Sequence, residues 1–410
     1  MKVLGIIAEY NPFHKGHEYH IQKSKEITGA DFVIVIMSGS FTQAGNISIY
    51  DKFTRAKVAT NYGADLVIEL PTIYATSSAE YFAKGAVNIL DKLGVVDCIC
   101  FGSESADIQK IKEISNIILT NEKNIWKDIS LNFKNGVSFA FARKAALSSY
   151  LDSNQIDTIE SPNNILGLEY VKAITMLKSS IMPFCIKRES SNFNEIKLDT
   201  RASFTSATSI RNEIYNFAIE KNRIPNTENI EILKNYLPTL MFKVIQQDSP
   251  LFNELYFSIL KYNILNLGMD NLKTIQGITE GLENRIYSCI NTSKTYSQFI
   301  QNIKSKRYQM SKIKRVLISI LLNISKDYFE NMTNKNLAYA HILASNENGK
   351  KLLSMISKNS NIPVISSIND KVLNSLNEDI KSSIKLDILS ANIHSILKCD
   401  EINKDYTNKL

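Results

Sequence analysis

The chain has 410 residues, 44% of them hydrophobic and 22% charged, which is the composition of a globular protein with a sizeable core and room for two domains. No secreted, membrane-spanning or disulfide-stapled protein is expected. Met1–Ala8 lacks a basic leader and a cleavage site, the longest apolar runs (Val33–Met37, Val316–Leu322) are core-sized, and the five cysteines are scattered without a CxxC, as in a reduced, cytoplasmic protein. The net charge of +7 is unevenly placed: residues 1–220 hold 23 Lys+Arg against 24 Asp+Glu, and residues 221–410 hold 25 against 17. A neutral half followed by a basic half suggests chemistry first and polyanion binding second.

In chain order, Val3–Ala8 reads as a buried strand, followed by a Pro/Gly loop and a helix over His17–Thr28. Phe32–Met37 is a second strand, Ser38–Ser48 a polar loop, Tyr50–Tyr62 a helix, Leu66–Glu69 a strand, Ala79–Leu93 a helix and Cys98–Phe101 a strand. A helix over Ile165–Leu177, a strand over Met182–Ile186 and a helix from Thr208 continue the series. Short apolar strands alternating with helices imply a parallel sheet covered on both faces. Beyond Asn222 helical periodicity dominates, so the expected organisation is a Rossmann-like α/β domain over 1–220 and a mainly helical, basic domain over 221–410.

The strongest signal is Asn11-Pro12-Phe13-His14-Lys15-Gly16-His17, at the junction of the first strand and first helix. Ligands of open parallel sheets bind beyond the carboxyl ends of the strands. A helix start there offers N–H groups and a positive dipole end to phosphate. Gly16 allows close backbone approach, and imidazoles three residues apart can donate to phosphate oxygens and stabilise charge on a departing pyrophosphate. A zinc site through His14, His17 and His20 has workable spacing but no neighbouring Cys, and no GxGxxG occurs at this turn, so no metal ligands are assigned. Downstream, Thr205-Ser206-Ala207-Thr208-Ser209-Ile210-Arg211 places hydroxyls and an Arg at a helix start, where they can hold phosphates; a plain Ser/Thr cap is the simpler reading of that segment alone.

These segments are similar to the HxGH nucleotidyltransferase superfamily, the second motif matching its ISSTxxR-type signature. With Met37-Ser38-Gly39, Asp65–Pro71, Phe101-Gly102-Ser103-Glu104, Pro162–Leu166, Glu280–Glu283 and Lys306-Arg307-Tyr308, the chain resembles the bacterial tRNA(Met) cytidine acetate ligase family over nearly its whole length. The resemblance implies that acetate and ATP form acetyl-adenylate, whose acetyl group passes to the wobble cytidine of elongator tRNA(Met). Acetate attacks the α-phosphate, pyrophosphate leaves, and Mg²⁺ is expected to assist. It implies catalytic roles for His14, His17, Ser206 and Arg211. It also implies ATP contacts from Ile7, Ala8, Glu9, Tyr10, Asn11, Pro12, Phe13, His14, Lys15, Gly16, His17, Glu18, Tyr19 and His20, and from Gly102, Asn163, Asn164 and Arg188. At Gly102 a side chain would block a nucleotide, and either Asn163 or Asn164 could be a contact or a helix cap. The family's Gln-Arg-Gly loop reads Gln43-Ala44-Gly45 here, with Lys52 or Arg55 as candidate substitutes for the Arg, and a family-like Arg is also replaced near His341.

From Lys294 to Lys326 there are eight basic residues and no acid, interleaved with Tyr296, Phe299 and Tyr308. Cations neutralise phosphates and aromatic faces stack on unpaired bases, so this stretch is the expected RNA face, with Lys306, Arg307, Lys312, Lys314 and Arg315 as its tRNA-binding residues. Competing readings are a small-molecule nucleotidyltransferase or pantothenate-synthetase-like ligase, which would not explain the basic half, and a non-catalytic RNA-binding protein, which would not explain the intact His14, Gly16, His17, Ser206 and Arg211.

Overall fold

The computed structural model describes residues 1–134, 139–188, 204–221, 230–279, 281–305 and 308–408. Among these residues, seven strands form one sheet in the order β5-β4-β1-β2-β3-β6-β7. They are β1 (Val3–Ala8), β2 (Phe32–Ser38), β3 (Leu66–Leu70), β4 (Cys98–Ser103), β5 (Met182–Lys187), β6 (Ala340–Ser345) and β7 (Val364–Ile365). β1 to β5 run parallel, β6 pairs antiparallel with β3, and β7 runs parallel to β6. Along β2, Ile34 and Ile36 enter one core and Val33, Val35 and Met37 the other, all at 0% exposure. Both faces are therefore covered, which is why the strand reads as an unbroken apolar run. The chain order reverses at β1, which has β2 on one side and β4 on the other, so the ligand crevice is expected at the carboxyl end of β1.

The helices that matter for the site are α1 (Lys15–Thr28), α2 (Lys52–Asn61), α3 (Ala79–Lys92), α4 (Pro162–Leu177), α5 (Ala207–Lys221), α6 (Met310–Leu321) and the short C-terminal α7 (Lys404–Thr407). Most of the second half is helical, as expected, but β6 and β7 also come from beyond residue 220 and complete the sheet of the first half. Gly45 joins the halves further: at φ +77°, a Cβ there would lie 2.6 Å from the Arg315 nitrogen and 2.6 Å from Lys314 Cβ, so the loop after β2 lies directly on α6.

A charged cluster is enclosed where β3, β6, α2 and α7 meet. Lys52 Nζ donates to Glu69 Oε2 (2.7 Å) and Asp405 Oδ1 (2.6 Å), and His341 Nδ1 lies 2.8 Å from Glu69 Oε2. All four side chains are at most 4% exposed. Glu69, His341 and Asp405 converge as metal ligands would. The Lys52 ammonium, bonded to both carboxylates, supplies the positive charge there. Burial alone would raise the Glu69 pKa, but Lys52 and the hydrogen bond from His341 hold it down at about 2.

Candidate active site

β1 delivers the chain into a turn of Glu9–His14 whose last residue is the N-cap of α1. Both histidines of the motif act as caps. His14 Nδ1 accepts the Gly16 N–H (3.1 Å), and His17 Nδ1 accepts the His14 N–H (3.2 Å). This is a capping box built from imidazoles in place of the usual Ser/Thr and Glu/Gln. The rings stack with centroids 3.7 Å apart, and Tyr10 sets its ring edgewise on His17 at 4.9 Å. Because each Nδ1 is an acceptor, each neutral ring carries its proton on Nε2. Burial, reinforced by Arg188 and Arg211, lowers the His14 pKa to about 3, and burial with neighbouring positive charge holds His17 well below 6.5. The pair is therefore neutral at physiological pH and can only donate from Nε2. The role of Gly16 is sharper than close backbone approach: a Cβ there would sit 2.9 Å from the His14 ring, so glycine makes room for the stacked imidazole.

These rings open onto a cavity of about 1130 Å³. Of the stretch 7–20, Ile7, Ala8, Glu9, Tyr10, Asn11, His14, Gly16, His17, Tyr19 and His20 line it, whereas Pro12, Phe13, Lys15 and Glu18 do not. Phe13 is core, stacked on Tyr62, and Lys15 reaches the Lys234 carbonyl. Gly102 faces open space where a Cβ would touch nothing within 4 Å. Asn163 and Asn164 separate cleanly. Asn164 accepts from Ser103 Oγ (2.7 Å) and the Glu104 N–H (3.0 Å) and donates to the Thr158 carbonyl (2.7 Å), so it fastens β4 to α4. Asn163 lines the cavity, donating to Glu104 Oε1 (2.6 Å) and accepting from Arg188 Nη1 (2.6 Å). Glu104, in the sequence no more than the end of a motif, thus positions Asn163 and, through it, Arg188.

On the opposite wall, Ser206 Oγ accepts the Ser209 N–H (3.0 Å), so the capping reading of this hydroxyl holds in the structure. Arg211 donates to the Asn11 carbonyl (2.7 Å) and to Thr208 Oγ1 (2.9 Å), which locks the two motifs together. Three enclosed polar atoms of lining residues lack a partner among the described residues: Tyr10 Oη, His20 Nε2 and Thr205 Oγ1. Buried orphans are rare in native proteins and cluster where a polar ligand completes the shell. Among the described residues, the charged ones that line it are Glu9 and Glu254 against Lys187, Arg188, Arg211 and Lys314, a balance suited to a polyanion.

The basic stretch does not form one solvated face. Along a helix, Lys312 and Arg315 share a side and Lys314 projects elsewhere. Lys314 enters the main cavity, donating to Asn46 Oδ1 (2.9 Å), and burial together with Arg211 lowers its pKa. It thus faces the same cavity as the histidine pair, apart from Lys312 and Arg315. Lys312 and Arg315 line a second cavity of about 230 Å³ between α6 and the start of α3, beside Ser77 and Ser78. Lys306 and Arg307, like Glu280, lie outside the described residues. The aromatic residues also differ from expectation: Tyr296, Phe299 and Tyr308 are 4%, 0% and 7% exposed and pack in the helical core, so they form no exposed stacking surface, although Tyr296 also borders the main cavity. Nor do Lys52 or Arg55 replace the loop arginine. Lys52 is in the enclosed cluster, and Arg55 donates to the carbonyls of Glu9, Ser38, Gly39 and Tyr50. The cations that reach the loop around Ala44 are Lys314, on Asn46 Oδ1 (2.9 Å), and Arg315, whose Nη1 donates to the Gln43 carbonyl (3.2 Å).

A parallel sheet with paired imidazoles capping the helix after β1, facing a cavity rich in cations, defines a nucleotidyltransferase-type site. The model of the HIGH Nucleotidyl Transferase family matches residues 1–409. The chain is 41% identical over 371 residues to the tRNA(Met) cytidine acetate ligase of Clostridium novyi, covering 89% of each, and 41% identical over 380 residues to that of Clostridium perfringens, covering 90% of each. The crystal structure of apo Thermotoga maritima TmcAL superposes with TM-score 0.89 at 33% identity, over 97% of this chain and 95% of that one. The same protein bound with alpha-thio ATP superposes at 0.86 and 32% identity, with the same coverage. The chain belongs to the HIGH Nucleotidyl Transferase family and, within it, to the tRNA(Met) cytidine acetate ligases.

Proposed function

We propose that this protein activates acetate with ATP to acetyl-adenylate and transfers the acetyl group to the wobble cytidine of elongator tRNA(Met), forming N(4)-acetylcytidine in the cytoplasm. The observation that carries the reading is the stacked pair of neutral imidazoles, each with Nδ1 tied to backbone and Nε2–H left to donate. Fixed donors of this kind suit charge that grows on the α-phosphate and pyrophosphate as acetate attacks. The anhydride product solves the poor electrophilicity of acetate, and no protein nucleophile is required.

His14 and His17 would grip the phosphates from one side, while Arg211 and the hydroxyls and N–H groups around Ser206 would do so from the other. Asn163, Arg188 and Gly102 would border the nucleoside end. The cavity exceeds the roughly 300–1,000 Å³ of a single small-molecule pocket, which leaves space for an acceptor base beside ATP. The described residues of its wall present no cage of carboxylates for a hard cation, so Mg²⁺ would be held by phosphate oxygens and water. The direct test is acetate-dependent release of pyrophosphate from ATP without tRNA: the reading requires it, and pyrophosphate release indifferent to acetate would contradict it.

The division of labour proposed is catalysis by residues 1–220 and tRNA binding by 221–410, with Lys314 assigned across the boundary to the ATP cavity. Replacing Lys312 by Gln should therefore lower tRNA affinity and flatten its salt dependence by about 0.7 in the log–log slope, the worth of one phosphate contact, whereas Arg315, tied to the Gln43 carbonyl, supports the loop at the ATP cavity. Lys314→Met should instead slow adenylate formation without tRNA by about tenfold or more, the worth of one charge-assisted hydrogen bond. Titrations of tRNA at several salt concentrations, paired with pyrophosphate assays, check both; the opposite pattern of effects would reverse the assignment.

A further inference from the structure

Acyl transfer to a cytidine amine needs a proton acceptor. The N4 lone pair forms a bond to the acetyl carbon, the bond from that carbon to the phosphate oxygen breaks, and AMP leaves with the electron pair. The amine, positively charged once it has attacked, must then shed one proton. We propose that Glu9 accepts this proton at Oε2. The inference rests on the function proposed above and assigns a step of it to a residue otherwise placed only among the ATP contacts.

Among the described residues, Glu9 and Glu254 are the carboxylates that line the cavity. Glu254 is fully engaged: Oε2 accepts the Tyr296 N–H (2.8 Å), while Oε1 accepts the Ser297 N–H (2.9 Å) and the Ser297 hydroxyl. It is the anchor of the helix beginning at Tyr296. Glu9 stands at the end of β1, where the reacting groups must meet. Its Oε1 accepts the Gln43 N–H (2.7 Å), which fixes the carboxylate plane. Its Oε2 has no hydrogen-bond partner among the described residues and is not enclosed, since the half-buried side chain opens onto the cavity.

The other bases of the cavity are less suited. His14 and His17 have Nδ1 occupied and their proton on Nε2. His20 Nε2 is enclosed. Lys314 donates to Asn46 and so is spent as a cation.

The groups facing Glu9 are the Gln43 N–H, Arg211 from α5, Arg55 from α2 and Tyr170 from α4. Burial raises the Glu9 pKa, and the Gln43 N–H, Arg211 and Arg55 only partly offset it. A carboxylate raised in this way is a stronger base than an ordinary one, and its deprotonated fraction grows with pH.

The variant that isolates this role is Glu9→Gln, whose amide oxygen can still accept the Gln43 N–H but cannot take a proton. Two rates are compared in full-length protein: single-turnover acetyl transfer from preformed acetyl-adenylate to tRNA(Met) across pH, and acetate-dependent ATP–pyrophosphate exchange. Transfer should fall by about 10²–10⁴, at least tenfold more than exchange, and lose its rise with pH. Glu9→Asp, with the carboxylate withdrawn by one methylene, should recover part of that rise. An equal fall in both rates, or a wild-type pH profile in Glu9→Gln, overturns the proposal and leaves Glu9 as a support for the loop at Gln43. If the wild-type protein itself moves no acetyl group to tRNA, the proposed function fails first, and this step fails with it.

Discussion

His17→Gln is expected to lower acetyl-adenylate formation by about 10²–10³ while the protein remains folded. Gln is the usual partner at the third helical position of a capping box, so its side-chain oxygen can accept the His14 N–H that His17 Nδ1 accepts now. The start of α1 is preserved, and what disappears is the Nε2–H donor. His14→Asn makes the same separation at the cap itself, because Asn is among the preferred N-cap residues. The expected result is an unchanged thermal midpoint with acetate-dependent ATP–pyrophosphate exchange reduced to about 0.1–1% of wild type. Wild-type exchange in both variants would remove the imidazoles from the mechanism.

The second large effect concerns stability. Lys52→Met leaves Glu69 and Asp405 enclosed without the ammonium that both carboxylates contact. Breaking a buried pair by removing one partner typically costs about 3–5 kcal/mol. That is a large share of a domain's net stability. Denaturant titration should show a markedly lower midpoint at an unchanged slope. The same cluster sets an acid limit for the native protein. The Glu69 pKa lies at about 2 in the folded state against an ordinary 4.5, so its stabilisation is complete above 4.5 and is lost as pH falls toward 2. Lys52→Met should already lack most of it at neutral pH. A variant as stable as wild type would mean that the carboxylates protonate or rearrange at little cost.

The parallel part of the sheet was legible because both of its faces are buried: Val33–Met37 and Val3–Ala8 are apolar runs with no alternation to hide them. β6 was not, because it reads Ala-His-Ile-Leu-Ala-Ser, and its His341 is buried only by virtue of Glu69, which in turn depends on Lys52, an ammonium it shares with Asp405. Polar residues made acceptable by pairings that span 272 and 353 positions carry no local signature. The same holds in the site. The HxGH segment announced itself at a strand–helix junction, whereas the separate duties of Asn163 and Asn164 emerge only when Glu104, Thr158 and Arg188 surround them. Lys314 stands beside Lys312 and Arg315 in the sequence, yet the helix turns it toward a different cavity. Tyr296, Phe299 and Tyr308 looked like a stacking surface because aromatic residues among lysines read alike whether they face RNA or a core.

The measurement that bears most directly on the function is incubation of the protein with isotopically labelled acetate, ATP and total tRNA, followed by nucleoside analysis of isolated elongator tRNA(Met). Labelled N(4)-acetylcytidine is predicted at the wobble position, absent when either ATP or acetate is omitted and not restored by acetyl-CoA alone. Label that stays in small molecules despite acetate-dependent pyrophosphate release, or efficient acetylation from acetyl-CoA without ATP, would contradict the proposed function.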